Sequence, residues 1–266
     1  MKGVPIQSFS RAISALKAIN RHGSMSMMEI SRAAGVPYPT AHRIVQTLMY
    51  EGLVEQEPAR KRYRPTALVQ SLSSGYQHDG MLVEIARPEI VALTKKVGWP
   101  VSIAIRVGKN MMLRDSTHAN TSLTFAQYYP GFTLPLLDSA SGKLSMAYAD
   151  DDERDQILKW MRADQDIDPA YLAEAEMALN PEGIREKGYA VQGRNYFNHT
   201  PGKTSSIAVP IFNNGRFEAA MTLVYFVSAM SLTKALETYL PEMLATAGTI
   251  TEGLNRHAAE ALRPAA

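Results

Sequence analysis

The chain has 266 residues, 45% hydrophobic and 20% charged, which suits two unequal globular domains better than one. It holds no cysteine, which excludes disulfides and thiolate metal sites and favours a cytoplasmic setting. Net charge is only +2, yet residues 1–65 carry ten Lys or Arg against four Asp or Glu, and the remainder carries eighteen against twenty-two; a basic head on an acidic body points to a polyanionic partner for the head alone.

Met1–Ser10 has no signal-peptide-like apolar core. The longest apolar stretch, Ala219–Met230, is too short to span a bilayer, so no membrane partner is expected. Phe9, Ala12, Ile13 and Leu16 recur at helical spacing and predict a first helix from about Ser8 to Arg21, ended by Gly23. Ser26 and Glu29 form a capping-box pattern ahead of Met27, Ile30 and Ala33, a short second helix that Gly35 breaks. Pro39 suits the first turn of a third helix, whose apolar face is Ala41, Ile44, Val45 and Leu48 and which Gly52 stops. Leu53–Glu55 and Lys61–Arg64 read as two short strands around a polar tip. Three helices and a β-hairpin make a winged helix-turn-helix.

The third helix carries Tyr38, Thr40, His42, Arg43, Gln46 and Tyr50 away from its apolar face. Such a helix fits the major groove of double-stranded operator DNA. Arg43 is suited to a bidentate guanine contact or a phosphate clamp, and Gln46 to adenine. The run Arg60-Lys61-Arg62-Tyr63-Arg64 is suited to phosphates or the minor groove, with Lys61 and Arg62 as its contact residues.

Beyond Pro65, apolar Leu68, Val69 and Leu72 predict a linker helix to about Tyr76, and the polar run Gln77–Gly80 marks a domain boundary. Ile85, Ile90 and Leu93 lie on a helix ending near Gly98. The period then becomes two: Val101, Ile103, Ile105 and Val107 alternate with Ser102, Ala104 and Arg106, the mark of a half-buried strand, followed by a second strand from Met111 to Asp115. Helices are expected over Ser139–Ala149, Asp151–Met161, Pro169–Lys187 and Ser231–Arg256. Strands are expected at Tyr189–Val191, Ser205–Phe212 and Arg216–Val227, the last two joined through Asn213-Asn214-Gly215, a hairpin signal. The fold class is α+β with a largely antiparallel second sheet.

At this point the chain resembles the IclR-type regulators. In the head the likeness rests on Thr40-Ala41-His42-Arg43, Leu48, Glu51-Gly52-Leu53-Val54 and Tyr63-Arg64. In the body it rests on Leu134-Pro135-Leu136, Ser139-Ala140-Ser141-Gly142-Lys143, Glu186-Lys187-Gly188-Tyr189-Ala190 and Ser206-Ile207-Ala208-Val209-Pro210. Their order and spacing together are specific. The resemblance implies a winged helix-turn-helix DNA-binding domain at residues 1–65, a linker helix at 66–79 and a GAF-like effector-binding domain at 80–266. It implies homodimers through the heads, often dimers of dimers, and small organic or aromatic acids as effectors. It places the effector pocket between the segments Ser139–Gly142 and Ser205–Ile207, with Leu134, Leu136, Ala140, Ser141 and Ser206 as lining residues. A narrower likeness, to activators of aromatic-acid breakdown, rests on Trp99-Pro100, Ser116-Thr117-His118, Ala140-Ser141-Gly142, Leu223-Val224-Tyr225 and Ala229-Met230-Ser231. Where the family commonly has an acidic residue after Val191, this chain has Gln192-Gly193-Arg194-Asn195.

Elementary chemistry points to the same pocket. With Ser139 as a helix cap, the amides of Ala140, Ser141 and Gly142 face outward at the positive helix end, where a carboxylate docks. The hydroxyls of Ser141, Ser205 and Ser206 can complete the site, Phe125, Tyr128, Tyr129 and Phe132 can cover an aromatic ring, and His118 can bond a phenol or carboxylate. Other chemistries fit poorly. Ser139–Lys143 lacks the first glycine and the terminal Ser/Thr of a P-loop. Asp115-Ser116-Thr117-His118 has hydrolase residue types without a nucleophile elbow. The six histidines have no metal-ligand spacing. No catalytic residue, cofactor or metal is expected; the rival to a ligand-responsive regulator is a small-acid enzyme or carrier that uses the head only as a scaffold.

Overall fold

Helical periodicity in the first fifty residues becomes three helices, α1 (Gln7–His22), α2 (Met27–Ala33) and α3 (Tyr38–Tyr50). The computed structural model describes residues 6–73, 80–124, 128–164, 167–194 and 202–261, and the chain divides into two compact units, 1–77 and 78–266.

In the first unit the capping box at Ser26 is formed: Ser26 N–H donates to Glu29 Oε2 at 2.7 Å, and Glu29 N–H donates to Ser26 Oγ at 3.4 Å. These bonds hold the Glu29 carboxyl below its ordinary range. The predicted two-stranded wing is a three-stranded antiparallel sheet. A short strand β1 (Met25–Ser26) joins β2 (Val54–Gln56) and β3 (Arg62–Pro65) in the order β1-β3-β2. Ile19, Ile30, Ala41 and Val45 are fully buried and form its core with Val54 and Tyr63.

The predicted linker helix differs from the structure. Its described part, Ala67–Ser73, is a 3₁₀-helix, and Tyr76 and Gln77–Asp79 lie outside the described residues. Leu68 and Leu72 remain exposed, so no packing holds an α-helix here. The Ser71 and Ser73 hydroxyls donate to the Leu68 and Gln70 carbonyls three residues back, the competition with backbone that serine offers.

The second unit is built on α4 (Gly80–Val97), β4 (Val101–Val107), β5 (Asn110–Ser116), β6 (Thr133–Pro135), α5 (Ala140–Tyr148), α6 (Asp151–Arg162), α7 (Pro169–Ala178), α8 (Pro181–Lys187), β7 (Ala190–Gln192), β8 (Thr204–Asn213), β9 (Arg216–Phe226) and α9 (Leu232–Ala261). Its six strands pair antiparallel in the order β6-β5-β4-β9-β8-β7. The β8–β9 turn puts Asn214 at φ 50° and Gly215 at φ 76°, the left-handed pair of a type I′ hairpin. The α+β class with a winged-helix head and an antiparallel-sheet body is the one the sequence predicts.

Both faces of this sheet are covered. Ile103, Ile207, Leu223 and Tyr225 pack with Leu82 and Ile90 of α4 and Met243 and Ile250 of α9. A Cβ on Gly253 would lie 2.7 Å from Ile85 Cγ2, so glycine there lets α9 close on α4. The opposite face packs Ala208 and Ala220 against Ala140 and Leu144 of α5. Strand β4 is therefore buried on both sides, Ser102 and Ala104 included, rather than half-buried as its alternation suggests. The single helix expected over Pro169–Lys187 is two. Pro181 disfavours helical geometry at Asn180, and the Asn180 side chain caps α8 by accepting the Gly183 N–H. Strand β6 was absent from the sequence reading; three residues are too few to show a period.

Candidate functional site

The chain offers two candidate surfaces, one in each unit. On α3, Ala41, Ile44, Val45 and Leu48 face the core, while Tyr38, His42, Arg43, Gln46 and Tyr50 are exposed and Thr40 is half-buried. The Thr47 hydroxyl donates to the Arg43 carbonyl, so it is committed to the helix. Lys61 is exposed beside Arg60 at the wing tip. Arg62, expected to meet phosphate, turns inward. Its Nε donates to Ser24 Oγ at 3.0 Å, its Nη2 donates to the Ser24 carbonyl at 2.8 Å, and Nη2 sits 2.9 Å from Glu29 Oε2. It therefore clamps β3 to the turn before α2, joining the capping box to the wing. Arg64 pairs across the hairpin with Glu55.

The second surface is a cavity on the α5 side of the larger sheet. Leu134, Ala140, Ser141, Ser205, Ser206 and His118, all singled out from the sequence, line it. Ser102 and Ala104 of β4, Leu113 of β5, Thr204 of β8 and Thr222 and Val224 of β9 line it too. The sequence reading missed these because no local pattern tells which strands lie side by side. Tyr128 closes one wall, its ring 4.5 Å from that of His118 and edge-on to Phe132 at 5.0 Å. Tyr129 packs on Phe132, away from the lining, and Phe125 lies outside the described residues.

Two expected residues fall elsewhere. Leu136 is fully buried in an adjoining core cluster with Met111 and Met146. Strand β6 ends at Pro135, so the two-residue alternation from Leu134 does not continue. Gly142 is also outside the lining. Its N–H is taken by the Ser139 hydroxyl at 3.1 Å, and Lys143 N–H donates to the Ser139 carbonyl. Only the Ala140 and Ser141 amides are left without an intrahelical acceptor at the cavity. Ser205 contributes less than expected: it alternates with Ser206 on β8, and its hydroxyl accepts the Arg194 N–H at 3.1 Å. From the segment after Val191, Gln192 ends β7, and Asn195 lies outside the described residues.

Among the described residues, two buried polar atoms on lining side chains have no hydrogen-bond partner, His118 Nε2 and Thr222 Oγ1. His118 Nδ1 lies 2.6 Å from Ser116 Oγ, and burial pulls its imidazolium down to about 3, so the ring is neutral near pH 7. Apolar walls surround a positive helix end, two free amides and a neutral imidazole, chemistry that suits a small carboxylic acid. About 20 Å³ is open to the centre of a water molecule, room for about one water. Among the described residues no cluster of three or more His, Asp or Glu side chains is arranged to hold a metal ion.

A winged helix-turn-helix with an exposed third helix, followed by a sheet domain with a cavity, is the architecture of a DNA-binding regulator. The "IclR helix-turn-helix domain" family matches residues 8–58, and the family "Bacterial transcriptional regulator IclR C-terminal" matches residues 75–252. The chain belongs to the IclR family of transcriptional regulators. It is 26% identical over 210 residues to the HTH-type transcriptional regulator BhcR of Paracoccus denitrificans, spanning 78% of this chain and 73% of that protein. It is 25% identical over 223 residues to the DNA-binding transcriptional repressor YiaJ of Escherichia coli, spanning 82% and 77%. Its fold matches an IclR homolog of Microbacterium hydrocarbonoxydans solved with 4-hydroxybenzoate, at TM-score 0.66 and 19% identity over 94% of this chain and 99% of that one. It also matches the Thermotoga maritima IclR, at TM-score 0.64 and 22% identity over 94% and 100%. Members of this family regulate transcription and are not enzymes.

Two predictions follow from the cavity. A Cβ on Gly142 would stand 1.7 Å from the Leu136 carbonyl oxygen and 2.8 Å from Ser139 Oγ. Gly142→Ala is therefore expected to cost about 3 kcal/mol in urea unfolding, the upper range for overpacking, because backbone must move. His118, neutral in the fold, gains its proton on unfolding at any pH between its ordinary value near 6.5 and about 3. Acidification through that window favours the unfolded chain. His118→Phe is expected to flatten the fall in Tm between pH 6.5 and pH 4, read by calorimetry.

Proposed function

We propose that this regulator senses a small organic acid, most readily an aromatic one, and adjusts transcription of an operon that breaks that acid down. The observation that carries this reading is the cavity itself: the free amides of α5, the Nε2 of a neutral His118 and apolar walls lie between helix and sheet. A ligand that prefers one arrangement of the protein changes operator affinity by that preference. The homolog solved with 4-hydroxybenzoate supports the ligand class. The narrower sequence likeness, through Ser116-Thr117-His118 and Leu223-Val224-Tyr225, favours an activator of 3-hydroxyphenylpropionate breakdown.

In the same reading two heads occupy two operator half-sites. Ile6 (71% exposed), Phe9 (65%) and Ile13 (39%) lie at one-turn and two-turn spacing on α1, an apolar stripe suited to a second copy, so the working unit is a homodimer or a dimer of dimers. The protein acts in the cytoplasm, where its operator is. Arg43 reads base edges with Gln46, while Tyr38, Thr40 and His42 seat the start of α3, and Lys61 meets the backbone from the wing.

Mobility shift with the DNA upstream of its own gene is expected to show binding that weakens steeply with salt. Arg43→Ala is expected to weaken the specific complex about 10- to 100-fold, matching ~1–3 kcal/mol for a bidentate base contact, with thermal stability unchanged. Ser141→Leu is expected to abolish calorimetric binding of 4-hydroxybenzoate and 3-hydroxyphenylpropionate while operator affinity stays at the wild-type level. Salt-insensitive or absent DNA binding removes the regulatory reading; normal acid titration in Ser141→Leu removes the cavity as the sensor.

A further inference from the structure

The cavity wall at the end of β5 is held from outside by hydrogen bonds to Asp115 and Thr117. Asp115, 4% exposed, accepts the Ser116 N–H at 2.7 Å and Arg87 Nη1 at 2.5 Å on one oxygen. Thr117 Oγ1 lies 2.6 Å from Thr94 Oγ1 of α4 and also accepts the Val101 N–H at 2.8 Å. These bonds place Ser116 and leave its hydroxyl facing His118.

That hydroxyl has a limited choice. Its oxygen accepts the His118 backbone N–H at 3.3 Å. Its proton has one acceptor within reach among the described residues, His118 Nδ1 at 2.6 Å. Were Nδ1 to carry the ring proton, the buried hydroxyl proton would go unused, a cost of ~1–3 kcal/mol for an unmade buried bond. The ring is neutral in the fold, so a proton-free Nδ1 puts the proton on Nε2, a buried atom of this lining side chain with no partner among the described residues.

We propose that Ser116 locks His118 in the Nε2–H tautomer, and that this donor selects acids bearing a second hydrogen-bond acceptor, a hydroxyl or carbonyl oxygen, besides the carboxylate. The carboxylate takes the Ala140 and Ser141 amides, and the second oxygen accepts from Nε2–H. Ser116 is a positioning residue and His118 a specificity-determining one. An acid without the second oxygen leaves the buried donor unsatisfied and binds more weakly, the asymmetry by which a polar pocket rejects an analogue lacking its partner group. The proposal rests on the acid-sensing reading.

Two measurements test it. Long-range proton–nitrogen correlation NMR on ¹⁵N-histidine-labelled full-length protein without ligand is expected to show His118 as the Nε2–H tautomer from pH 5 to pH 8. Ser116→Ala is expected to populate both tautomers while circular dichroism stays unchanged. A wild-type Nδ1–H signal overturns the proposal and leaves acid sensing intact. Calorimetry then compares benzoate with 4-hydroxybenzoate, and 3-phenylpropionate with 3-hydroxyphenylpropionate. The wild type is expected to prefer the hydroxylated member of at least one pair by tenfold or more. His118→Phe is expected to bring that ratio near one, chiefly by weakening the hydroxylated member. Equal loss for both members, or no preference in the wild type, overturns the selection; failure of all four acids to bind overturns the acid-sensing reading as well.

Discussion

The Cα of Gly142 lies against the carbonyl of Leu136, and the cavity depends on that approach. No other residue brings the first turn of α5 so close to the chain leaving β6, because any Cβ would enter the carbonyl oxygen. The Ser139 hydroxyl then satisfies the Gly142 amide, and the next amide closes on the Ser139 carbonyl. Two amides remain, those of Ala140 and Ser141, and they face buried space rather than water. A helix end enclosed without partners is costly unless something occupies it. That unmet valence, rather than the size of the pocket, is what the proposed acid site rests on.

The rest of the body arranges surroundings for that helix end. The antiparallel sheet is covered on both faces, so α5 seats on a rigid floor of Ala208 and Ala220 while α4 and α9 hold the opposite side. Polar side chains that would be expensive in a core, Ser102, Thr204, Ser206 and Thr222, are buried along this one face. Burial of several hydroxyls beside one imidazole nitrogen without a partner among the described residues is a poor way to stabilise a fold.

In the head, charge is divided between folding and recognition. Arg62 spends its guanidinium group on Glu29, which fastens the wing to α2, and Arg64 spends its own on Glu55 across the hairpin. Arg43, Arg60 and Lys61 stay exposed on α3 and the wing tip. The net positive charge of the segment thus overstates the number of cations left unpaired on its surface.

Much of the fold was legible because its signals are local. The capping box at Ser26, the apolar face of α3, the Asn213-Asn214-Gly215 turn and the Ser139 cap each depend on residues within a few positions, and each formed. The resemblance of short motifs added the general place of the cavity. What the chain alone did not decide is which polar groups are already spent. Arg62 is consumed by Glu29, 33 positions away in the chain; the Gly142 amide by the cap; the Ser205 hydroxyl by Arg194. Thr222 and Thr204 enter the lining from strands whose adjacency no local pattern encodes. Periodicity and caps are properties of one segment, whereas a free donor is a property of everything packed around it, and only the tertiary structure decides that.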